Sequence, residues 1–484
     1  MREIVINPIT RLEGHGKITI FLNDQGNVEN AYLQIPELRG FERFCVGRKA
    51  EDMPQITSRI CGVCPVAHHY AGTKALDAAF NVEPPSAAKK LRELMYCGYI
   101  IYDHVLHFFY LGGPDFIVGP DAPPEKRNIL GVIEKAGLEV GKEVIKHRAY
   151  GQKITEIIGG KATHPVCGLP GGISKSLSEE ERQEIEEMAA SCVEFAKLSL
   201  KLFHDIVLGN EKYVEMIKSN AYTLKTYYMG LVDKKNRVNF YDGKVRVVDP
   251  QGNEFLKFEP KDYLEHIAEH VEEWTYVKSP YLKKVGWKGF IDGADSGVYR
   301  VGPLGRLNVA DGMATTLAQQ EYQLMYKTLG GKPVHSTLAF HWARLIELLY
   351  ASERAVELCR DPEITSTKIR NKPGKPAEGV GIVEAARGTL IHHYVLDENA
   401  LVKNVNLIVA TTNNYPAICM SVRDAAKGLI QGGNVNQGLL NKVEMAFRAY
   451  DPCFACASHF AIGQMPFTIE IYNHKRKLLK TIQR

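Results

Sequence analysis

Arg59-Ile-Cys61-Gly-Val-Cys64-Pro-Val-Ala-His68, near the start of the chain, and Asp451-Pro-Cys453-Phe-Ala-Cys456-Ala-Ser-His459, near its end, decide how this sequence is read. Each segment carries a Cys-x-x-Cys turn, which sets two thiols on one side of a tight loop. That arrangement suits one metal ion or a dithiol–disulfide exchange. Two such pairs supply four thiolates, enough to close a site for a soft metal. Structural zinc sites draw their pairs from nearby chain, whereas 388 residues separate Cys64 from Cys453. A thioredoxin-like dithiol needs a βαβ context that neither pair has. The favoured reading is therefore an interior catalytic metal clamped by the two ends of a large chain.

Working outward, the 484 residues include 45% apolar and 24% charged side chains, ordinary values for a globular protein. Sixty basic and 56 acidic residues leave a formal charge of +4, which gives no electrostatic reason to expect nucleic acid or an anionic membrane. The opening MREIVINPITR lacks a signal-peptide apolar core, and no stretch reads as a membrane span. A reducing cytoplasm is the expected location, with Cys45, Cys97, Cys167, Cys192, Cys359 and Cys419 as buried, inert thiols. Short strands are expected at Lys17–Leu22 and 31–35 around the turn Asp24-Gln25-Gly26-Asn27. Helices are expected over 86–111, from the Ser178 cap to 208, and over 312–329, 339–359 and 421–447. Asp242-Gly243 predicts a hairpin between 238–241 and 244–248, and a further strand pair is expected at 389–396 and 402–410. The predicted fold class is mostly α with small α+β parts, long central helices carrying short β hairpins.

The two cysteine segments resemble the paired signatures that mark the large subunit of nickel-iron hydrogenases: Arg-x-Cys-Gly-x-Cys-x-x-x-His and Asp-Pro-Cys-x-x-Cys-x-x-His. The resemblance extends along nearly the whole chain. Pro8-Ile-Thr-Arg-Leu-Glu13-Gly-His-Gly is similar to the family's opening, and Arg39-Gly-Phe-Glu42 to its approach to the first pair. Tyr102-Asp103-His104-Val-Leu-His107, Gly160-Lys161-Ala-Thr-His164-Pro165 and Glu384-Ala-Ala-Arg387-Gly388 match in order. In the last, Ala386 stands where the family usually has proline; a packing change rather than a loss of activity is expected. The related subunit of respiratory complex I lacks the metal cysteines, all four of which are present here.

The resemblance implies a nickel ion held by Cys61, Cys64, Cys453 and Cys456, with Cys64 and Cys456 bridging to an iron that carries carbon monoxide and cyanide. It implies a guanidinium from Arg387 over the metals, held by Asp103 and Asp451. Glu13 matches the proton gate, and His68 a residue bonded to a bridging thiolate. Thr411, or less favourably Thr412, matches a hydroxyl that hydrogen-bonds a cyanide. Glu42 and His459 match ligands of a second ion, magnesium or ferrous iron, near the mature C-terminus. Residues 1–459 would be the mature catalytic region. The 25 residues after His459 resemble a maturation extension, removed by a dedicated protease after nickel-insertion proteins have acted. His69, His104, His107, His164, His392 and His393 are assigned no metal. His104 and His107 are expected to satisfy buried polar groups.

No other cysteine cluster suits an iron–sulfur centre, and no dinucleotide fingerprint is visible. The resemblance therefore implies a small subunit with iron–sulfur clusters, with flavin, if any, also on partner chains. Among subtypes the chain looks most like the cytoplasmic F420-non-reducing, viologen-reducing hydrogenases of methanogens and related bacteria. These pass electrons from H2 through an iron–sulfur subunit toward a heterodisulfide reductase. The F420-reducing and NAD-linked types, and a non-enzymatic hydrogen-sensing paralogue, are the alternatives.

Overall fold

The apolar stretch after Ser86 forms the helix Ser86–Leu106 and then widens into a π turn, His107–Gly112. The wide turn closes with the Gly113 amide donating to Phe108 O at 2.7 Å, and a Cβ on Gly113 would lie 2.1 Å from that oxygen. This helix is flanked by Leu138–Gly159 and Phe340–Cys359, and Glu179–Phe203 packs outside the latter. Small residues set the closest crossing: a Cβ on Gly151 would meet Gly98 O at 2.6 Å. Ser178 starts its helix with a reciprocal capping box to Glu181. A computed structural model describes residues 2–458, 468–475 and 477–483. Among the described residues, no helix is long and apolar enough to cross a membrane.

Small sheets surround this helical body, so the fold is mostly α with short β parts, as expected. Arg2–Ile6, Lys17–Leu22 and Val28–Gln34 form an antiparallel sheet. A second antiparallel sheet joins Glu378–Ala385, Gly388–Leu396 and Val402–Ile408. Three local expectations need correction. Lys244–Val248 does not pair with 238–241; it lies between Tyr227–Val232 and Glu254–Phe258. The Asn239 side chain accepts the amides of Tyr241 and Asp242, curling that segment into a turn. Tyr227–Val232 is buried throughout, so no alternation marks it as a strand. The single helix expected at 421–447 is two, Ala410–Leu429 and Gln437–Arg448, separated by Gly432 and Gly433 at positive φ. The Ser86 and Ser178 helices end in π turns where regular helix is expected, because a π turn leaves the apolar pattern intact.

Two buried imidazoles in this core make stability sensitive to acid. His69 Nδ1 donates to Pro54 O and its Nε2 accepts the Gly168 amide, so the neutral ring is fully used. Burial pushes His69 down to about 4, and burial followed by the Arg344 charge pushes His341 down to about 3. Both values lie below the unfolded value, so the unfolded chain binds the extra protons as pH falls from about 6.5 toward those values. At pH 5 this costs about 2 kcal/mol per ring. The urea midpoint is therefore expected to fall clearly from pH 7 to pH 5; equal midpoints would show that neither ring stays neutral in the fold.

Candidate metal centre

The first cysteine pair lies in the turn between the helices Met53–Ser58 and Pro65–Ala79. Cys64 occupies the N-cap position ahead of Pro65, whose missing N–H costs nothing there. The amides of Val63 and Cys64 both donate to Cys61 Sγ at 3.2 Å. The second pair follows a turn in which Asp451 takes φ +57°, and Thr411 Oγ1 accepts the Cys453 amide at 3.0 Å. The segment after Leu12 runs alongside: Glu13 forms a parallel bridge with Cys453 and its carbonyl accepts the Phe454 amide. A Cβ on Gly14 would approach Ala455 N to 2.7 Å, so glycine permits this closeness.

These contacts bring four buried sulfurs together. Cys61 Sγ is 3.6 Å from Cys453 Sγ, and Cys64 Sγ is 3.8 Å from Cys456 Sγ. One donor atom from each cysteine lies within 4.8 Å of all the others. Metal–thiolate bonds of about 2.3 Å put two ligands of one ion up to about 4.6 Å apart, so the set fits a soft metal. Cys453 and Cys456 are bonded as a disulfide; as ligands both would be reduced thiolates. Burial opposes ionisation of Cys61, but the hydrogen bond from Cys64 and then the Arg387 charge carry its thiol below the usual value. That same hydrogen bond, and then burial, push Cys64 well up. Among the described residues this is the single cluster suited to a metal ion. Burial holds Cys45, Cys167, Cys192, Cys359 and Cys419 up at about 11 to 12, the range of unreactive thiols.

Arg387 sits at the tip of the hairpin joining Glu378–Ala385 to Gly388–Leu396. Both terminal nitrogens of its guanidinium donate to Asp103 at 3.1 Å, and Nη2 also lies 2.9 Å from Asp451 Oδ2. Burial opposes the charge, yet Asp103 and then Asp451 hold the guanidinium well above its ordinary range. Burial pushes Asp451 up to about 7. The hairpin tip is clamped from behind by Arg306, which donates to the carbonyls of Ala385 and Ala386 at 2.7 and 3.1 Å. Glu347 and Glu384 neutralise Arg306 from both sides, and all three are fully buried. Sequence reasoning misses Arg306 and Glu347, which belong to no motif. Ala386 has a structural consequence: its amide donates to Tyr99 Oη at 2.9 Å, a bond proline has no hydrogen to make.

The remaining residues singled out from sequence divide clearly. Glu13 Oε2 lies 2.8 Å from Cys453 Sγ and accepts the Ala455 amide at 3.2 Å; burial raises its pKa against the pull of Arg387. His68 lies one helical turn beyond Cys64, with Nδ1 3.1 Å from His392 Nε2. Thr412 Oγ1 donates to Ala457 O at 3.4 Å. Glu42 is buried, accepts the Leu407 amide at 2.9 Å, lies 3.6 Å from Lys278 Nζ, and has its pKa raised by burial. His459 lies outside the described residues. His104 bonds Glu347 and His107 donates to Arg448 O, at 2.9 and 2.7 Å.

A model of nickel-dependent hydrogenases matches residues 39–122 and 142–459, and a HoxL-like model matches residues 3–38. The chain belongs to the nickel-dependent hydrogenase family. It is 49% identical over 485 residues to the iron-sulfur subunit of an F420-non-reducing hydrogenase from Archaeoglobus profundus, covering 100% of both chains. It is 38% identical over 494 residues to the NAD-reducing hydrogenase HoxS subunit beta of Cupriavidus necator, covering 99% of each. Among solved structures, an NAD+-reducing [NiFe]-hydrogenase in the H2-reduced state superposes with a TM-score of 0.88 at 38% identity, over 95% of this chain and 100% of that one. This hydrogenase is thus a nickel-iron enzyme's large subunit, and its four-cysteine cluster is compatible with a Ni–Fe site.

Proposed function

We propose that this large subunit oxidises H2 reversibly to protons and electrons, and that Cys61, Cys64, Cys453 and Cys456 would hold its Ni–Fe group, whose iron would carry carbon monoxide and cyanide. When bound, the Ni–Fe group supplies a soft, electron-poor site at which dihydrogen is polarised and split. Glu13 carries the proton chemistry: its Oε2 takes a proton at Cys453 Sγ and passes it outward, a transfer suited to a carboxyl whose pKa is raised by burial. Arg387 remains charged between its two acids, so it acts as a fixed electrostatic and hydrogen-bonding group. Thr411 anchors the Cys453 amide, while Thr411 and Thr412 are the hydroxyls assigned to cyanide. The observation that carries the reading is the juxtaposition of four buried sulfurs with a carboxylate 2.8 Å from one of them. Metal analysis of the purified complex tests it. About one nickel per chain is expected, and zinc without nickel would overturn the reading.

Electrons leave through a small subunit with iron–sulfur clusters, because no second soft-metal cluster exists among the described residues. The full-length likeness to the F420-non-reducing relative supports that subtype, and the acceptor chain proposed with it runs through an iron–sulfur subunit to a heterodisulfide reductase in the cytoplasm. The NAD-linked assembly is the second reading, favoured by the likeness to the HoxS beta subunit. Residues 460–484 are proposed as a maturation extension, with Glu42 and His459 binding magnesium once it is gone. Within it, Thr468–Tyr472 pairs with Leu478–Gln483. A cut chain can bury its new carboxylate, whereas a continuing chain cannot. Intact-mass measurement of active enzyme is expected to give a chain ending at His459; full activity with Arg484 retained would make the segment an ordinary structural element.

A further inference from the structure

We propose that Arg127 anchors the iron–sulfur small subunit, its guanidinium receiving a carboxylate of that partner. The inference rests on the reading that such a subunit carries the electrons away. Residues 121–126 form a loop that is exposed at all positions but Ala122. Arg127, at its end, is only 7% exposed. The backbone is fixed on both sides of it. The Arg127 amide donates to Pro124 O at 3.2 Å, and the Asn128 side chain caps the helix Ile129–Ala136 by accepting the amides of Leu130 and Gly131.

This guanidinium is left over from a buried charge cluster. Among the described residues the Arg127 side chain makes no hydrogen bond and no ion pair, and its Nε is buried without a partner. The charges around it are committed to one another. Asp115 is shared by Arg11 and Arg448, with Arg448 Nη1 donating to its Oδ2 at 3.2 Å. Arg448 also binds Glu444, and Asp121 on the loop is taken by Lys442. Three guanidinium groups thus meet two carboxylates, Asp115 and Glu444, which leaves one positive charge in excess. Burial disfavours the Arg127 charge; Asp115 supports it and Arg448 opposes it, both from beyond contact.

A desolvated guanidinium costs free energy until a carboxylate meets it, and its planar fork suits that group. The surroundings favour a carboxylate carried by a protein. The two helices after Arg127, Ile129–Ala136 and Leu138–Gly159, bear Leu130, Leu138 and Ile145 at 72%, 61% and 58% exposure. These are the most exposed large apolar side chains within residues 2–458. Leu138 and Ile145 are two turns apart and share a helix face. A desolvated arginine beside exposed apolar side chains is the composition of an interface centre. A second copy of this chain would bring the same surplus positive charge, so it is the poorer occupant. Position points to the small subunit. Arg11, in the same cluster, precedes Glu13 by two residues, and Glu13 lies 2.8 Å from Cys453 Sγ. An electron acceptor must approach that centre closely, because transfer slows steeply with distance.

Carbodiimide cross-linking of the purified complex tests this. In Arg127→Lys the introduced amine faces the same carboxylate, and the zero-length reagent joins the two. Mass spectrometry is expected to find position 127 linked to an Asp or Glu of the small subunit. Links only to Asp115, Asp121 or Glu444 of this chain, or none, would overturn the proposal. Arg127→Met gives a second readout. It is expected to raise the urea midpoint of the full chain alone, since an unpaired buried charge is gone, and to weaken association with the small subunit about tenfold or more. A lowered midpoint would show that water or a small ion already satisfies Arg127, and unchanged association would remove the anchor. Inorganic phosphate is the free-anion probe: stabilisation of the wild-type chain but not of Arg127→Met would assign the site to a small anion and sink the proposal. A purified hydrogenase with no iron–sulfur chain would refute the partner reading itself, whereas an intact complex with links confined to this chain overturns the anchor alone.

Discussion

Replacing any one of Cys61, Cys64, Cys453 or Cys456 by serine is expected to reduce hydrogen uptake to the assay background. All four sulfurs line one buried cluster, so under the proposed assignment removing one would open the metal's ligand shell rather than trim its periphery. Serine oxygen is a harder donor whose hydroxyl keeps its proton at neutral pH, whereas a soft metal is held by thiolate. The effect differs from a folding defect. Each cysteine is a small buried side chain, and the oxygen for sulfur exchange changes volume little. Nickel content should therefore fall together with uptake while the chain remains soluble and folded. A serine variant with normal nickel content and wild-type turnover would remove that residue from the ligand set.

Glu13→Gln is expected to separate proton movement from the metal chemistry. Its carboxylate contacts Cys453 Sγ at 2.8 Å and is steadied by the Ala455 amide at 3.2 Å. Glutamine keeps the size and one carbonyl acceptor but cannot take up and release a proton. Nickel content and interconversion of ortho and para hydrogen should persist, because neither requires a proton to leave the site. Hydrogen–deuterium exchange with water should fall about a hundredfold or more, the scale of a lost general acid–base group. Full exchange in a metal-replete Glu13→Gln enzyme would place the proton exit elsewhere.

Much of this centre is legible without coordinates because its chemistry is written in residue type and short spacing. A Cys-x-x-Cys turn presents two sulfurs wherever it folds, and four thiolates already specify a soft metal. The Ser178 capping box and the strand Lys17–Leu22 depend on neighbours within a few positions, so local pattern suffices. Local pattern fails where partners are distant. Tyr227–Val232 is buried on both faces and carries no alternation, so its pairing with Lys244–Val248 stays hidden and a false hairpin takes its place.

Sequence by itself determined the set of four cysteines and the mostly helical body, which follow from side-chain identity and periodicity, and the family, which follows from the resemblance of its ordered motifs. Tertiary structure alone decided what stands next to what. It brought Cys61 to 3.6 Å from Cys453 across 392 positions, and laid Glu13 beside that same sulfur across 440. It recruited Arg306, Glu347 and Glu384 as a buried clamp behind the tip that carries Arg387. It also joined Tyr394 to His68 through His392. The physical reason is that hydrogen bonds and Coulomb forces between buried groups act over a few ångströms of space, and chain distance leaves no trace of them.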